Sequence, residues 1–355
     1  MNDSSVIPPI NDYSARAYPV ADICDYLKLC GRYDKLPLPN SDQMGITMDN
    51  ACNYLGFVAD CVGDVTLDIS IYIEQDEDRS LGSRYFSIYV DGVKQPGRPY
   101  IMGVSKEHTD CTLTLASGLE KGKHLIEVYR QNEPLRAAMI LKNINMNGVP
   151  LIEKPADKDL YIEFVGDSIT AGYGNLRMGR IERPGHADNS DATSTYAFLT
   201  AQALNADISV LCRSGMGFSL KTIPFVEFYT QTCRITRPGK KYVSPREPDI
   251  VVINLGTNDK VKTDISEITE YTQKAIKTVR DFYPNCKIVW AYGLMGIHIE
   301  KEIKAGLENC GGEANNIYYC QLKTDYSGGG GHTSAAGHIE GAKDLTTFLK
   351  SKGLV

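Results

Sequence analysis

The feature that most constrains the fold is a change of hydrophobic pattern near Pro150. Before it, apolar and polar residues alternate, as in residues 65–73, and a period of two is typical of a half-buried strand. After it, short apolar runs such as residues 250–255 alternate with amphipathic stretches such as residues 264–282. This change of pattern, in a chain longer than a typical single domain needs, predicts two domains, 1–150 and 151–355.

The first 150 residues predict β-structure. Phe86, Ile88 and Val90 repeat the period of two, and Asp91-Gly92 follows them as a hairpin-turn signal. Other short apolar runs follow at similar spacing, with no helical period between them. This pattern favours a β-sandwich, of the jelly-roll kind, as the N-terminal domain.

The second part predicts an α/β domain. Its almost uniformly apolar runs are expected of strands that are buried on both faces of a parallel sheet. They alternate with helical stretches at 195–204, 264–282 and 334–349. We therefore expect a doubly wound sheet that is covered by helices on both sides.

Composition excludes several classes of protein. The formal net charge of −6 provides no basic field for nucleic acid or an anionic membrane, and no apolar run approaches a membrane helix. The beginning of the sequence has no apolar export signal, and the ten cysteines are scattered without CxxC or zinc-site spacing. We expect reduced thiols, a cytoplasmic location, and no metal or other cofactor.

Three polar motifs follow predicted strands. Ser168 in Gly166-Asp167-Ser168 lies where catalytic groups of α/β sheets collect, although a helix N-cap serine explains it equally well. Asn258 in Gly256-Thr257-Asn258-Asp259 can donate to an oxyanion or simply end a strand in an Asx-turn. His332 follows a run of glycines and can accept a serine proton, whereas most single histidines are structural.

The order serine, asparagine, histidine at three strand ends, with Gly215-Met216-Gly217 between the first two motifs, resembles the SGNH (GDSL-like) hydrolase superfamily. The resemblance implies a flavodoxin-like α/β/α domain that cleaves esters without a metal. It implies Ser168 as nucleophile and His332 as base. It also implies an oxyanion hole from the Ser168 N–H, a glycine N–H and the Asn258 amide. Spacing favours Gly217 over Gly215 as the glycine, and leaves both open.

One position departs from that superfamily. Asp usually stands three residues before the catalytic histidine, where this chain has Gly329. Without that carboxylate we expect a Ser168–His332 dyad, with the imidazole held by a backbone carbonyl. Asp325 is the nearest other acid and is the alternative third member.

The layout of a β-domain before this hydrolase domain resembles carbohydrate esterase family 2. That resemblance implies removal of acetyl groups from plant-wall oligosaccharides of the xylan or mannan type. Trp290 and Tyr292, on a strand near the expected site, are candidate platforms for a sugar ring, with a core position as the alternative. A broad lipase or thioesterase and an inactive carbohydrate-binding relative are the rival functions. A homo-oligomer is compatible with the sequence.

Overall fold

The computed structural model describes residues 7–73, 83–103, 107–134, 137–182, 187–233 and 237–355. It divides the chain into two compact units, one of residues 1–49 with 53–157 and the other of residues 50–52 with 158–355. Each unit has its own hydrophobic core of buried side chains.

Strands make up nearly all regular structure of the first unit. The strands are β1 (Ala15–Pro19), β2 (Lys28–Cys30), β3 (Asp34–Pro37), β4 (Met44–Thr47), β5 (Tyr54–Ile73), β6 (Ser83–Val90), β7 (Val93–Lys94), β8 (Tyr100–Met102), β9 (Thr109–Arg130) and β10 (Ala137–Leu151). They form an antiparallel sheet in the order β3-β4-β10-β5-β9-β6-β7, with β1 on β10, β2 on β5 and β8 on β6.

The long strands β5, β9 and β10 carry the core of this unit. Val65, Leu67, Ile69 and Ile71 on β5 are at most 1% exposed, so the predicted alternation is confirmed. Register shifts interrupt the pairing of β5 with both neighbours, and such bulges bend a strand and increase its twist. The antiparallel β-structure is as predicted, and its arrangement as a jelly roll stays a prediction.

The second unit alternates strands and helices. Its strands are β11 (Tyr161–Gly166), β12 (Asp207–Cys212), β13 (Met216–Gly217), β14 (Ile223–Pro224), β15 (Gln231–Cys233), β16 (Arg237–Lys241), β17 (Ile250–Asn254), β18 (Lys287–Tyr292) and β19 (Ile317–Gln321). Its helices are α1 (Tyr196–Ala203), α2 (Asp259–Lys262), α3 (Ile265–Phe282), α4 (Glu300–Asn309) and α5 (Ala335–Ser351).

Five of these strands form one parallel sheet in the order β12-β11-β17-β18-β19. Consecutive residues of β11 face opposite layers, because Phe164 contacts Tyr196 of α1 while Val165 lies in the cluster that includes α3. The sheet therefore has helices on both faces, and the α/β prediction is confirmed. Its parallel strands bring the loops after β11, β12, β17 and β19 to one edge.

Two further observations concern the helices and the cysteines. Among the described residues, no helix combines the length and the apolar character needed to span a membrane. The nine cysteines whose side chains are described form no disulfide, and five of them are buried.

Candidate active site

Ser168 lies in a tight turn directly after β11. The Asp167 carboxylate accepts from the Ile169 N–H at 2.9 Å, and the Ser168 carbonyl accepts from the Tyr173 N–H at 2.9 Å. These bonds hold the serine at the carboxyl end of a central strand, with 8% of its surface exposed. Within this turn the Ser168 side chain caps no helix N-terminus, because its described partner is a histidine ring.

That ring belongs to His332. Ser168 Oγ and His332 Nε2 are 3.1 Å apart, although 164 residues separate them in the sequence. His332 follows a glycine turn in which Gly330 adopts a left-handed conformation (φ 63°) that favours glycine. The distance is that of a hydrogen bond between a nucleophile and its general base.

The glycine turn is anchored to the segment that follows Ser168. Gly329 N–H donates to the Gly174 carbonyl at 2.9 Å, and Gly330 N–H donates to the Gly179 carbonyl at 2.7 Å. The ring of Tyr173 also lies against the imidazole, with 4.7 Å between ring centroids. Residues 173–179 therefore hold both members of the pair, a role the sequence did not suggest.

The environment of His332 favours its neutral form. Burial lowers the pKa of His332 below its ordinary value, and an interaction with the Gly330 backbone partly offsets this. Within the described ranges, no carboxylate hydrogen-bonds to its Nδ1 atom. A neutral imidazole is the form that accepts a proton from serine.

Asp325 is engaged elsewhere. Its Oδ1 accepts from the amide and hydroxyl of Ser327, at 3.2 and 2.6 Å, and its Oδ2 accepts from those of Ser334, both at 2.7 Å. Burial opposes ionisation, but these four bonds outweigh it and keep the pKa of Asp325 below its ordinary value. The carboxylate thus braces the loop before α5 and does not contact His332.

Asn258 lies beside the same strand end, at the start of α2. Its Nδ2 donates to the Met216 carbonyl at 2.8 Å and to Asp167 Oδ2 at 3.3 Å. Both amide hydrogens therefore have an acceptor in this structure. The longer bond is the one that an oxyanion would replace most easily.

The glycine motif after β12 lies next to Asn258. A Cβ on Gly217 would lie 2.5 Å from Asp259 Oδ2, whereas one on Gly215 would meet only Ile223 Cδ1 at 3.3 Å. The glycine at 217 is therefore required for close packing, whatever its amide does. The choice between the Gly217 and Gly215 amides stays open.

Two predicted sugar platforms need correction. Trp290 is fully buried, donates to the Leu255 carbonyl at 3.2 Å and packs edge-on against Phe218. Tyr292 is 2% exposed, and burial raises its pKa to about 12. Neither ring can stack on a sugar here, because β18 is a central strand whose side chains are covered on both faces. The alternative core reading is right for both.

Of the other histidines that the structure describes, none is hydrogen-bonded to Ser168 or His332. His338 is fully buried in α5, accepts from the Tyr196 N–H at 3.3 Å, and burial lowers its pKa to about 3. His124 pairs with Asp91 in the first unit, and His186 lies outside the described residues.

Comparison with known proteins places this geometry in context. Residues 164–319 match the GDSL-like Lipase/Acylhydrolase family. The matched residues begin in β11 and include Ser168, the glycine motif and Asn258, whereas His332 follows them.

Curated relatives share more of the chain. The cellulase/esterase CelE of Acetivibrio thermocellus is 28% identical over 298 residues, which are 77% of this chain and 35% of that protein. An acetylxylan esterase/glucomannan deacetylase of Cellvibrio japonicus is 26% identical over 64% of this chain and 67% of its own length. The chain thus spans about a third of the first relative and two thirds of the second.

Solved structures share the fold over nearly the whole chain. An acetyl xylan esterase from Butyrivibrio proteoclasticus has a TM-score of 0.81 at 19% identity, over 96% of this chain and 99% of that one. A family two carbohydrate esterase from Clostridium thermocellum, solved with cellohexaose, has a TM-score of 0.78 at 24% identity, over 93% and 100%. The second curated relative and both solved neighbours are named as esterases that act on carbohydrates, and the first curated relative is named as a cellulase/esterase.

Proposed function

We propose that this protein is a serine esterase that removes O-acetyl groups from plant-wall oligosaccharides of the acetyl xylan or acetyl mannan type. The observation that carries the proposal is the 3.1 Å contact between Ser168 Oγ and His332 Nε2 at the carboxyl edge of a parallel sheet. The relatives support the substrate class, because one is named as a cellulase/esterase and the other as an acetylxylan esterase/glucomannan deacetylase.

The reaction would proceed by acyl transfer. Ser168 Oγ attacks the acetyl carbonyl carbon while His332 Nε2 takes the hydroxyl proton. The tetrahedral intermediate collapses, the C–O bond to the sugar breaks, and His332 returns the proton to the departing sugar oxygen. Water, activated by the same ring, then hydrolyses the acetyl-enzyme and restores Ser168 with release of acetate.

The developing oxyanion needs donors in this scheme. We assign them to the Ser168 N–H, a glycine N–H from Gly217 or Gly215, and the Asn258 amide. Asn258 would release Asp167 and keep its shorter bond to Met216 when it turns one hydrogen to the oxyanion. The base would be a dyad member, because Asp325 is occupied by two serines.

The proposal includes the domain plan. Residues 1–150 would be the β-sandwich or jelly-roll domain and residues 151–355 the hydrolase domain. The partner is an acetylated oligosaccharide. Substrate profiling identifies the position of its acetyl group. The aromatic ring that packs on the sugar is neither Trp290 nor Tyr292, because both lie in the core.

The test is acetate release from a panel of acetylated xylo-, manno- and gluco-oligosaccharides, with product positions read by NMR. Ser168→Ala should lower the rate by roughly a million-fold, as loss of a nucleophile does, with unchanged circular dichroism. Ser351→Ala, an exposed serine at the end of α5, is the matched control and should keep full activity.

Three outcomes would contradict the proposal. Substantial activity in Ser168→Ala would remove the nucleophile. Hydrolysis of long-chain esters or thioesters in preference to sugar acetates would favour a broad lipase or thioesterase. Oligosaccharide binding without hydrolysis of p-nitrophenyl acetate would indicate an inactive binding protein.

A further inference from the structure

The buried carboxylate of Asp259 lies one residue beyond Asn258, and the proposed mechanism does not use it. It is fully buried as the first residue of α2, and burial raises its pKa to about 6 although hydrogen bonds from Ser219 and Phe218 lower it. Burying a carboxylate costs free energy unless hydrogen bonds compensate. The positions of its partners indicate what this carboxylate does.

Those partners belong to the glycine motif after β12. Asp259 Oδ1 accepts from the Ser219 N–H at 2.8 Å and from the Phe218 N–H at 3.1 Å, and Oδ2 lies 3.3 Å from the Phe218 nitrogen. Two consecutive amides of the loop thus converge on one side chain. Gly217, the residue before them, is packed so closely against the carboxylate that a Cβ would not fit.

Asn258 hydrogen-bonds to the same loop. Its amide donates to the carbonyl of Met216, so residues 258 and 259 together contact four consecutive residues, 216–219. The loop carries one proposed oxyanion donor, and Asn258 is another. Three hydrogen bonds therefore set the distance between the two donors.

We infer that Asp259 is a positioning residue that holds the glycine loop in register with Asn258, so that their donors meet on one oxyanion. This inference rests on the proposed esterase function. The physical argument is preorganisation: an oxyanion hole stabilises charge only when its donors are already in place, and tethering the loop removes the cost of arranging it. Asp259 itself touches neither Ser168 nor His332 among the described contacts.

Asp259→Asn is the informative variant, because it keeps the size and one acceptor oxygen but loses the second. We expect kcat to fall by roughly ten- to a hundred-fold, since a donor displaced by about 1 Å has such a cost. KM should change far less, because an oxyanion hole stabilises charge that develops only in the transition state. The circular dichroism spectrum should stay that of the parent.

Asp264→Asn is the matched control. Asp264 also accepts from a backbone amide, that of Ser266 at 2.9 Å, but it does so at the exposed N-cap of α3. We expect this variant to keep both its thermal stability and its kcat, because asparagine caps a helix about as well as aspartate does. A fall of kcat as large as that of Asp259→Asn would show that any Asp→Asn change at a backbone-bonded carboxylate has this effect, and would overturn the inference.

A double-mutant cycle distinguishes positioning from a general structural role. In an Asn258→Ala background the hole already lacks one donor, so Asp259→Asn should cost much less than in the parent. Full additivity of the two losses would overturn the inference, as would a kcat within twofold of the parent in the single variant.

A readout independent of activity separates this inference from the proposed function. Amide hydrogen exchange of Phe218 and Ser219 should accelerate in Asp259→Asn, because their charged carboxylate acceptor becomes a single, uncharged and weaker amide oxygen, while β11 and β17 keep their protection. That result stands even if the parent hydrolyses no ester. Unchanged exchange of the loop would contradict the inference with the proposed function left intact.

Discussion

At the scale of single residues, the proposed site depends on which polar groups already have partners. Ser168 and His332 are hydrogen-bonded to one another, whereas Asp325 accepts all its described hydrogen bonds from Ser327 and Ser334. A carboxylate with four hydrogen bonds cannot also orient an imidazole without losing some of them. The hydrogen-bond partners of an acid, more than its proximity along the chain, decide whether it can assist the base.

Asp325→Asn should therefore cost little catalysis. In a triad the amide analogue lowers kcat by about ten thousand-fold, and here we expect less than a tenfold effect. Stability should fall instead, by about 1 kcal/mol, because Asp325 braces the capped start of α5. Steady-state kinetics and thermal unfolding measure the two effects.

The pH dependence of that stability loss is a further check on Asp325. A carboxyl whose folded pKa is depressed stabilises the fold above its unfolded pKa, and this contribution disappears as the pH falls through the folded pKa. The difference in stability between parent and Asp325→Asn should thus be full at neutral pH and shrink under strongly acidic conditions. A thousand-fold loss of kcat would instead establish a triad.

The activity profile should report the depressed pKa of His332. The imidazole must be neutral to accept the serine proton, so kcat/KM should rise with pH and reach half its plateau below pH 6.5, the ordinary histidine value. Burial raises the pKa of Asp259 to about 6, which lies in the same range. Profiles of the parent and of Asp259→Asn separate the two, and a midpoint above 6.5 in both would contradict the burial of His332.

At the scale of elements, the loop that carries His332 is held by hydrogen bonds on both sides of the histidine. Ser334 caps α5 by accepting from the Gly337 N–H at 3.1 Å, and its hydroxyl donates to Asp325. Two residues earlier, His332 leaves the glycine turn that Gly174 and Gly179 hold. The histidine thus lies between two fixed points, which limits the freedom of a glycine-rich segment.

The burial of Trp290 on the central strand β18 can be tested by fluorescence. Trp290 is the only tryptophan in the sequence and is fully buried, so its fluorescence should be blue-shifted and resistant to quenching by iodide. Saturating oligosaccharide should leave that emission unchanged. Trp290→Phe should destabilise the fold by about 2 kcal/mol, through the unpaired Leu255 carbonyl and lost packing, without raising KM.

The opposite result for Trp290 has a clear reading. If substrate shifted the emission, or if Trp290→Phe raised KM at unchanged stability, the ring would contact sugar and the core assignment would be wrong. Sugar binding would then need no further aromatic ring. With Trp290 in the core, as we expect, Tyr326 is the aromatic residue to test for sugar contact, because it is 49% exposed and one residue beyond Asp325.

At the scale of the whole molecule, the chain forms two units with separate cores. The first core is built from long antiparallel strands, and the second lies between a parallel sheet and its helices. Contacts that join residues 164 positions apart are needed before the site exists at all. Parallel topology makes this possible, because it brings the ends of distant strands to one edge.

The sequence by itself determined the features that arise from local periodicity and residue type. The period of two in β5, the apolar runs of β11 and β17, and the order of the motifs around Ser168, Asn258 and His332 were all readable before any coordinates. Side chains repeat about every 2.0 residues in a strand and about every 3.6 residues in a helix, so hydrophobic spacing indicates the type of element directly.

Only the tertiary structure decided the matters that depend on packing between distant elements. Trp290 and Tyr292 were placed correctly on a strand, but their burial follows from the layers on both faces, which no local pattern records. The same holds for the hydrogen bonds of Asp325, of Asn258, and of Asp259 with residues 218–219. They form only because loops distant in the sequence meet at one sheet edge. Hydrogen bonds reach only about 3 Å, so their partners are settled by the final fold and not by spacing along the chain.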